Sequence, residues 1–329
     1  MKPVFLLGLL LAALFAAPAH GASARLPGVF LFGRDYVRAE DWARAGGGTL
    51  RWTVPRQEFQ ITLPSGTFKF TVDSRRAVLR GTEVWLSAPV ALRNGSAHLG
   101  HIDLVTALNP LTSPPRNMAN RPVRHIVIDP GHGGRDPGKM SGGRQEKHYA
   151  LLLSKEVGEL LTKAGFKVSY TRTSDTTLDL PERAAIARRR GADLLISLHF
   201  NSAAGAGASS IQGAETYCMT PARASSSNAG GEGAGAGAFQ GNRFDAKNFA
   251  LAYQIQKAIT GKTTSEDRGV KRARFQVLRD AEMPAALVEA AFMTSPADAR
   301  RIYDGALRRQ LAQAIVDGIV AYKRIVDRK

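Results

Sequence analysis

From His125 to Lys329, short apolar runs alternate with segments of helical period, and this alternation restricts the fold more than any other feature. His125-Ile126-Val127-Ile128-Asp129-Pro130 and Asp193-Leu194-Leu195-Ile196-Ser197-Leu198-His199 are short, rich in branched residues and apolar on both faces, as buried strands are. A helix is expected from about Glu146 to Ala164, with Leu153, Val157, Leu160 and Leu161 on one face and Gly165 as its stop. Phe166 to Tyr170 reads as a strand, and Pro181 to Arg190 as a short helix with proline in its first turn. Further strands are expected at Gly213–Met219, Phe275–Leu278 and Ala285–Glu289, and a helix at about Ala246–Ile259. Ser295-Pro296 opens the closing helices, with an inner stripe of Leu307, Leu311, Ile315, Ile319 and Tyr322. The fold class is therefore α/β, an open and mostly parallel sheet flanked by helices.

The rest of the chain differs in kind. Residues 1–24 have the layout of a signal peptide: Met1-Lys2, an apolar run from Phe5 to Ala17, then small residues around a cleavage point after Gly21 or Ala24. The run is short for a membrane span, and no cysteine follows it for lipid attachment, so a periplasmic or secreted protein is expected. Residues 25–108 read as a small α+β unit, with strand-like alternation at Thr49–Val54, Glu58–Leu63 and Thr67–Val72. A weak internal repeat relates Tyr36–Ala45 to His98–Ala107. Residues 109–124 hold Pro110, Pro114, Pro115 and Pro122 and are read as a linker. Pro221 to Asn242, mostly Ala, Gly and Ser, is expected to be a mobile loop with little to bury.

A formal charge of +17 implies attraction to polyanions. For an exported chain these are anionic wall polymers or a membrane surface rather than nucleic acid. The single cysteine, Cys218, permits no internal disulfide and no cysteine-based zinc site, and is expected to be a packed core residue.

The stretch Gly131-His132-Gly133-Gly134-Arg135-Asp136-Pro137-Gly138-Lys139 follows the first buried strand. It nearly matches a phosphate-binding loop, but Met140 stands where a hydroxyl should hold magnesium, Pro137 lacks an amide, and Ser141-Gly142-Gly143 prevents an immediate helix. No nucleotide is expected, and Lys139 then reads as a solvated loop residue. A metal site has better support. Ligands in open α/β sheets collect at the carboxyl ends of the strands. His132 lies just beyond one such end, His199 ends a second strand and Glu289 a third.

These blocks resemble the zinc-dependent N-acetylmuramoyl-L-alanine amidases of bacterial cell-wall turnover (the type-3 amidase domain). The matching segments are Ile128–Gly134 with Asp136-Pro137-Gly138, Gln145-Glu146-Lys147, Leu180–Ala187, Leu195–Asn201 and Ala286–Phe292, in family order across nearly all of 125–329. The resemblance implies that His132, Glu146 and His199 hold Zn²⁺ and that Glu289 is the catalytic carboxylate. It implies cleavage of the amide between the lactyl group of N-acetylmuramic acid and L-alanine of the stem peptide by water that zinc activates, with peptidoglycan as the partner of a monomer. Glu146 comes from the resemblance alone, because a glutamate in a first helical turn is ordinarily there for the macrodipole. Asp136 is expected to shape the loop, Arg172 and Glu182-Arg183 to form structural ion pairs, and Asn201 to contact substrate or cap a turn. Some family members carry a helix that blocks the zinc site in the region of Pro221 to Asn242, where this chain lacks helical amphipathic character. Residues 25–108 resemble the copper amine oxidase N-terminal-like (stalk) domain, with no copper implied. His98 and His101 are accordingly expected to be surface or packing residues. Two alternatives remain: a non-catalytic wall-binding protein retaining the fold, and a zinc hydrolase of another amide.

Overall fold

The structure, a computed structural model, describes residues 26–227 and 237–328. The expected signal peptide lies outside them. The apolar segments form one sheet, and it runs on into the amino-terminal unit. Its eleven strands are β1 (Thr49–Val54), β2 (Glu58–Leu63), β3 (Gly66–Thr71), β4 (Arg76–Leu79), β5 (Thr82–Trp85), β6 (His125–Pro130), β7 (Lys167–Tyr170), β8 (Leu194–Asn201), β9 (Ala214–Met219), β10 (Asp267–Ala273) and β11 (Ala285–Phe292). Their order is β7-β6-β8-β11-β9-β10-β5-β4-β3-β2-β1. Strands β7, β6, β8 and β11 are parallel, as an alternation of strands and helices requires. β9 is antiparallel to β11 and parallel to β10, and β1 to β5 form an antiparallel meander, so the whole sheet is mixed.

Alternate side chains of the central strands serve two cores. Ile126, Ile128, Leu194 and Ile196 pack with the helices Glu146–Lys163, Asp245–Lys262 and Gly305–Val326, whose Leu153, Val157, Leu161, Leu311, Ile315, Ile319 and Tyr322 join the same cluster. Val127, Leu195 and Leu287 point the other way, toward Ala184 and Ala187 of the helix Leu180–Arg189 and Val277 and Leu278 of a short helical turn. Each fully buried leucine or isoleucine contributes about 1.5–3 kcal/mol over its exposed state. Cys218 is buried among these side chains.

One expectation needs correction. Phe275–Leu278 is not a strand: Gln276–Arg279 is helical, and the strand lies earlier, at β10. β10 escapes an apolar pattern because it carries Arg272, which is fully buried over the Phe249 ring and donates to Thr106 Oγ1 at 3.1 Å. The expected loop from Pro221 to Asn242 is packed at its described ends. Ala224 and Ser226 are buried, and the Ser227 amide donates to Arg272 O at 2.7 Å. Residues 240–244 form a 3-10 turn, and a Cβ on Gly241 would stand 2.1 Å from Leu278 O. Small residues here let backbones approach, so a low apolar content did not mean little burial.

The amino-terminal unit also has a curled four-stranded sheet of Gly28–Leu31, Arg34–Arg38, Ser96–Gly100 and Ala91–Arg93. The sequence repeat has a structural counterpart. Arg34–Arg38 leads into the helix Ala39–Ala45, Ser96–Gly100 leads into a helical stretch from His101 to Thr112, and the two strands pair antiparallel with Tyr36 opposite Gly100. That stretch takes up the first residues of the expected linker. His98 is buried and bonds Ser96 O, while His101 is exposed. The unit is joined to the rest by the Val84–Val270 bridge, by Tyr253 Oη donating to Leu79 O at 2.9 Å, and by the Glu83 amide donating to Asp267 at 2.8 Å. Among the described residues no helix is long and apolar enough to cross a membrane.

Candidate active site

The parallel strands end together, and their ends build a cleft of about 260 Å³ that His132, Glu146, His199 and Glu289 line. His132 follows β6 at a φ of 57°, a left-handed conformation costly for most side chains. Its surroundings hold it there. Arg183 Nη2 donates to His132 O at 2.9 Å, and His132 Nδ1 bonds Asp136 Oδ2 at 2.7 Å. Arg183 is fixed in turn by buried Asp129 at 2.8 Å, which also accepts from Thr171 and Ser197 hydroxyls. Among the described residues Arg172 forms no ion pair, contrary to expectation. It donates to the carbonyls of Pro130, Gly131, Lys147 and Ser174 and so clamps the loop. Glu182 pairs with Arg189 and Arg183 with Asp129, the ion pairs expected of both.

Glu146 is the first residue of its helix and is almost wholly buried. Its Oε1 lies 3.0 Å from His132 Nε2 and 2.9 Å from His199 Nδ1. One ligand atom from each of the three residues falls within 4.8 Å of the others, and the three could hold one metal ion. The donor set fits zinc, which takes imidazole nitrogens and carboxylate oxygens and, in catalytic sites, three protein ligands. Asp136 supplies the carboxylate that fixes ring orientation in such sites. The glycines fit too. A Cβ on Gly131 would lie 2.3 Å from the His199 ring, and one on Gly138 2.6 Å from His132 and 2.7 Å from Glu146 Oε2.

The electrostatics follow from this packing. Burial alone would raise the Glu146 carboxyl, but hydrogen bonds and charge from His132 and His199 hold it far below the usual carboxylate range. Burial would depress His132, yet the bond and charge of Glu146, joined by Asp136, raise it above the ordinary histidine value. Glu289 is the opposite case. Part of its side chain opens to the cleft, while its Oε2 is sealed and has no hydrogen-bond partner among the described residues. Burial, then the charges of Glu146 and Glu215, push its carboxyl well above the usual range, against Lys139 and Lys271.

The glycine loop's amides are committed to the protein. Gly134 donates to Asp175, Arg135 to Thr177, Gly138 to Asp136 and Lys139 to Glu146, so none of the four is available to cradle phosphate. Lys139 is an exposed loop residue, as expected, and it also lines the cleft. Asn201 spans to Glu215 at 3.3 Å and accepts from the Ser202 amide. Sequence reasoning missed Asp129 and Glu215. A carboxylate inside the apolar run of β6 was a legible sign of a buried partner. Glu215, held by Arg268, Lys271 and Tyr217, had no such signal.

The sequence model describing N-acetylmuramoyl-L-alanine amidases matches residues 126–321, which includes all four cleft residues. The chain belongs to that family. It is 33% identical over 232 residues to the amidase LytC of Bacillus subtilis, covering 70% of this chain and 42% of LytC. It is 32% identical over 273 residues to the amidase AmiA of Escherichia coli K12, covering 77% of this chain and 92% of AmiA. Among solved structures, an N-acetylmuramoyl-L-alanine amidase from Clostridium difficile 630 superposes with a TM-score of 0.51 at 32% identity, over 61% of this chain and 97% of that one. The amidase fold thus accounts for the carboxyl-terminal part of the sheet and its helices, including the strand ends that build the cleft.

Proposed function

We propose that the chain hydrolyses the amide joining the lactyl group of N-acetylmuramic acid to L-alanine of the stem peptide in peptidoglycan, with Zn²⁺ held by His132, Glu146 and His199. The observation that carries this reading is Glu289, a carboxylate with one unbonded oxygen at the strand ends that present His132 and His199. Zinc held by such ligands lowers the pKa of water to about 7 and polarises a carbonyl. Glu289 would take a proton from the attacking water at its carboxylate and return it to the leaving L-alanine nitrogen. Burial, with the charges of Glu146 and Glu215, raises its proton affinity and suits it to hold that proton between the two transfers. Asp136 keeps the proton on His132 Nδ1, so that Nε2 is free for the metal. Leu180, Phe275 and Val277 give the cleft an apolar side that limits water.

The signal-peptide layout and the relatives' roles support action outside the cytoplasm, and the charge of +17 supports adhesion to anionic wall polymer. The amino-terminal unit would act as a stalk-like support for the catalytic part. Mass analysis of fragments released from purified sacculi tests the proposal. Stem peptides with a free L-alanine amino terminus are expected; free sugars or cut cross-links would refute it.

A further inference from the structure

Besides the two histidines, the ionisable side chains lining the cleft are Asp129, Asp136, Lys139, Glu146, Arg183 and Glu289. Asp129 and Arg183 bond each other, and Asp136 and Glu146 bond the histidines. Glu289 belongs to the proposed proton transfer. Lys139 is left. Its ammonium has no hydrogen-bond or ion-pair partner among the described residues, and the side chain is exposed. Its backbone, by contrast, is fixed to the proposed metal ligand. The Lys139 amide donates to Glu146 Oε2 at 2.9 Å, and Lys139 O accepts from the Glu146 amide at 2.9 Å. The two-stranded hairpin of Met140–Ser141 and Arg144–Gln145 holds the next residues in place. The lysine is also near enough to Glu289 for its charge to be felt there.

If the amidase reading holds, the cleft must accept the stem peptide beside the scissile amide. L-Alanine offers only a methyl group. Where the second residue is γ-linked D-glutamate, its α-carboxylate is the negative charge nearest the cut. The other basic lining residue, Arg183, is buried, and its Nη1 and Nη2 are engaged by Asp129 and backbone carbonyls, so it cannot reach that charge. We propose that Lys139 binds this α-carboxylate and makes the enzyme discriminate between acidic and amidated second stem residues. The inference rests on the proposed amidase activity and extends it to the substrate.

The test uses the zinc-loaded full chain and two synthetic muropeptides that differ only in a carboxylate or a carboxamide at that α-position. Wild type is expected to favour the acid. In Lys139→Gln the acid-to-amide ratio of kcat/KM should fall on the order of tenfold, mainly through KM, as loss of a hydrogen bond to a charged group implies. Lys139→Arg should keep the preference and Lys139→Glu should reverse it. Thermal unfolding should stay near wild type, since the side chain is exposed. An unchanged ratio in Lys139→Gln overturns the assignment, including the case where both substrates slow equally because the lysine acts only on Glu289. Wild-type protein that releases free L-alanine termini from neither substrate would overturn the amidase reading itself, and this inference with it.

Discussion

His199 and Glu289 are register partners on the neighbouring parallel strands β8 and β11. The pairing ties a proposed metal ligand to a proposed proton carrier through backbone hydrogen bonds rather than through flexible side chains. Such pre-organisation fixes reacting groups without cost at the moment of reaction.

Glu289→Gln should therefore separate chemistry from binding. Turnover should fall about 10²–10⁴-fold, the range for losing a general base. Zinc content should stay stoichiometric, and the melting temperature should stay level or rise, because the cost of ionising a buried carboxyl beside Glu146 and Glu215 is removed. Turnover measured beside metal analysis checks both halves.

The raised His132 gives a pH prediction. In metal-free protein its imidazolium contributes stability that is complete below about 6.5 and is lost as pH rises through the higher folded value. Metal requires the neutral ring. The thermal shift produced by added Zn²⁺ should thus grow as pH rises through that raised folded value. Calorimetry with zinc and with chelator would show it, and a pH-independent shift would count against His132 as a ligand.

Arg183 supports the site through Asp129 and His132 O. Arg183→Met leaves Asp129 as an unpaired buried charge and should cost about 3–5 kcal/mol. It should also weaken zinc binding about 10–100-fold, as loss of outer-shell support does. Denaturant titration and competition with a chelator measure the two effects.

Deleting residues 26–108 tests how the two parts depend on each other. The cut would expose the edge of β10 and remove the partners of Tyr253 and Arg272. Loss of cooperative unfolding or of solubility is expected, and a truncated chain with wild-type melting behaviour would show the junction to be dispensable.

Much of this was legible in sequence because apolar periodicity reports burial directly. β6 and β8, the helix at Glu146 and the closing helices all follow from it. The convergence of His132, His199 and Glu289 followed from their places at strand ends. What stayed hidden was burial of polar or small groups. Arg272 kept β10 from reading as a strand, and Ala224, Ser226 and Gly241 hid the packing at the described ends of Pro221 to Asn242. The continuous sheet hinges on the single Val84–Val270 pair, which no local pattern announces.

The most direct measurement is metal analysis and turnover of His132→Ala beside wild type. The account predicts that the variant loses both stoichiometric zinc and hydrolysis of peptidoglycan while remaining folded. A zinc-loaded, fully active His132→Ala protein would contradict it.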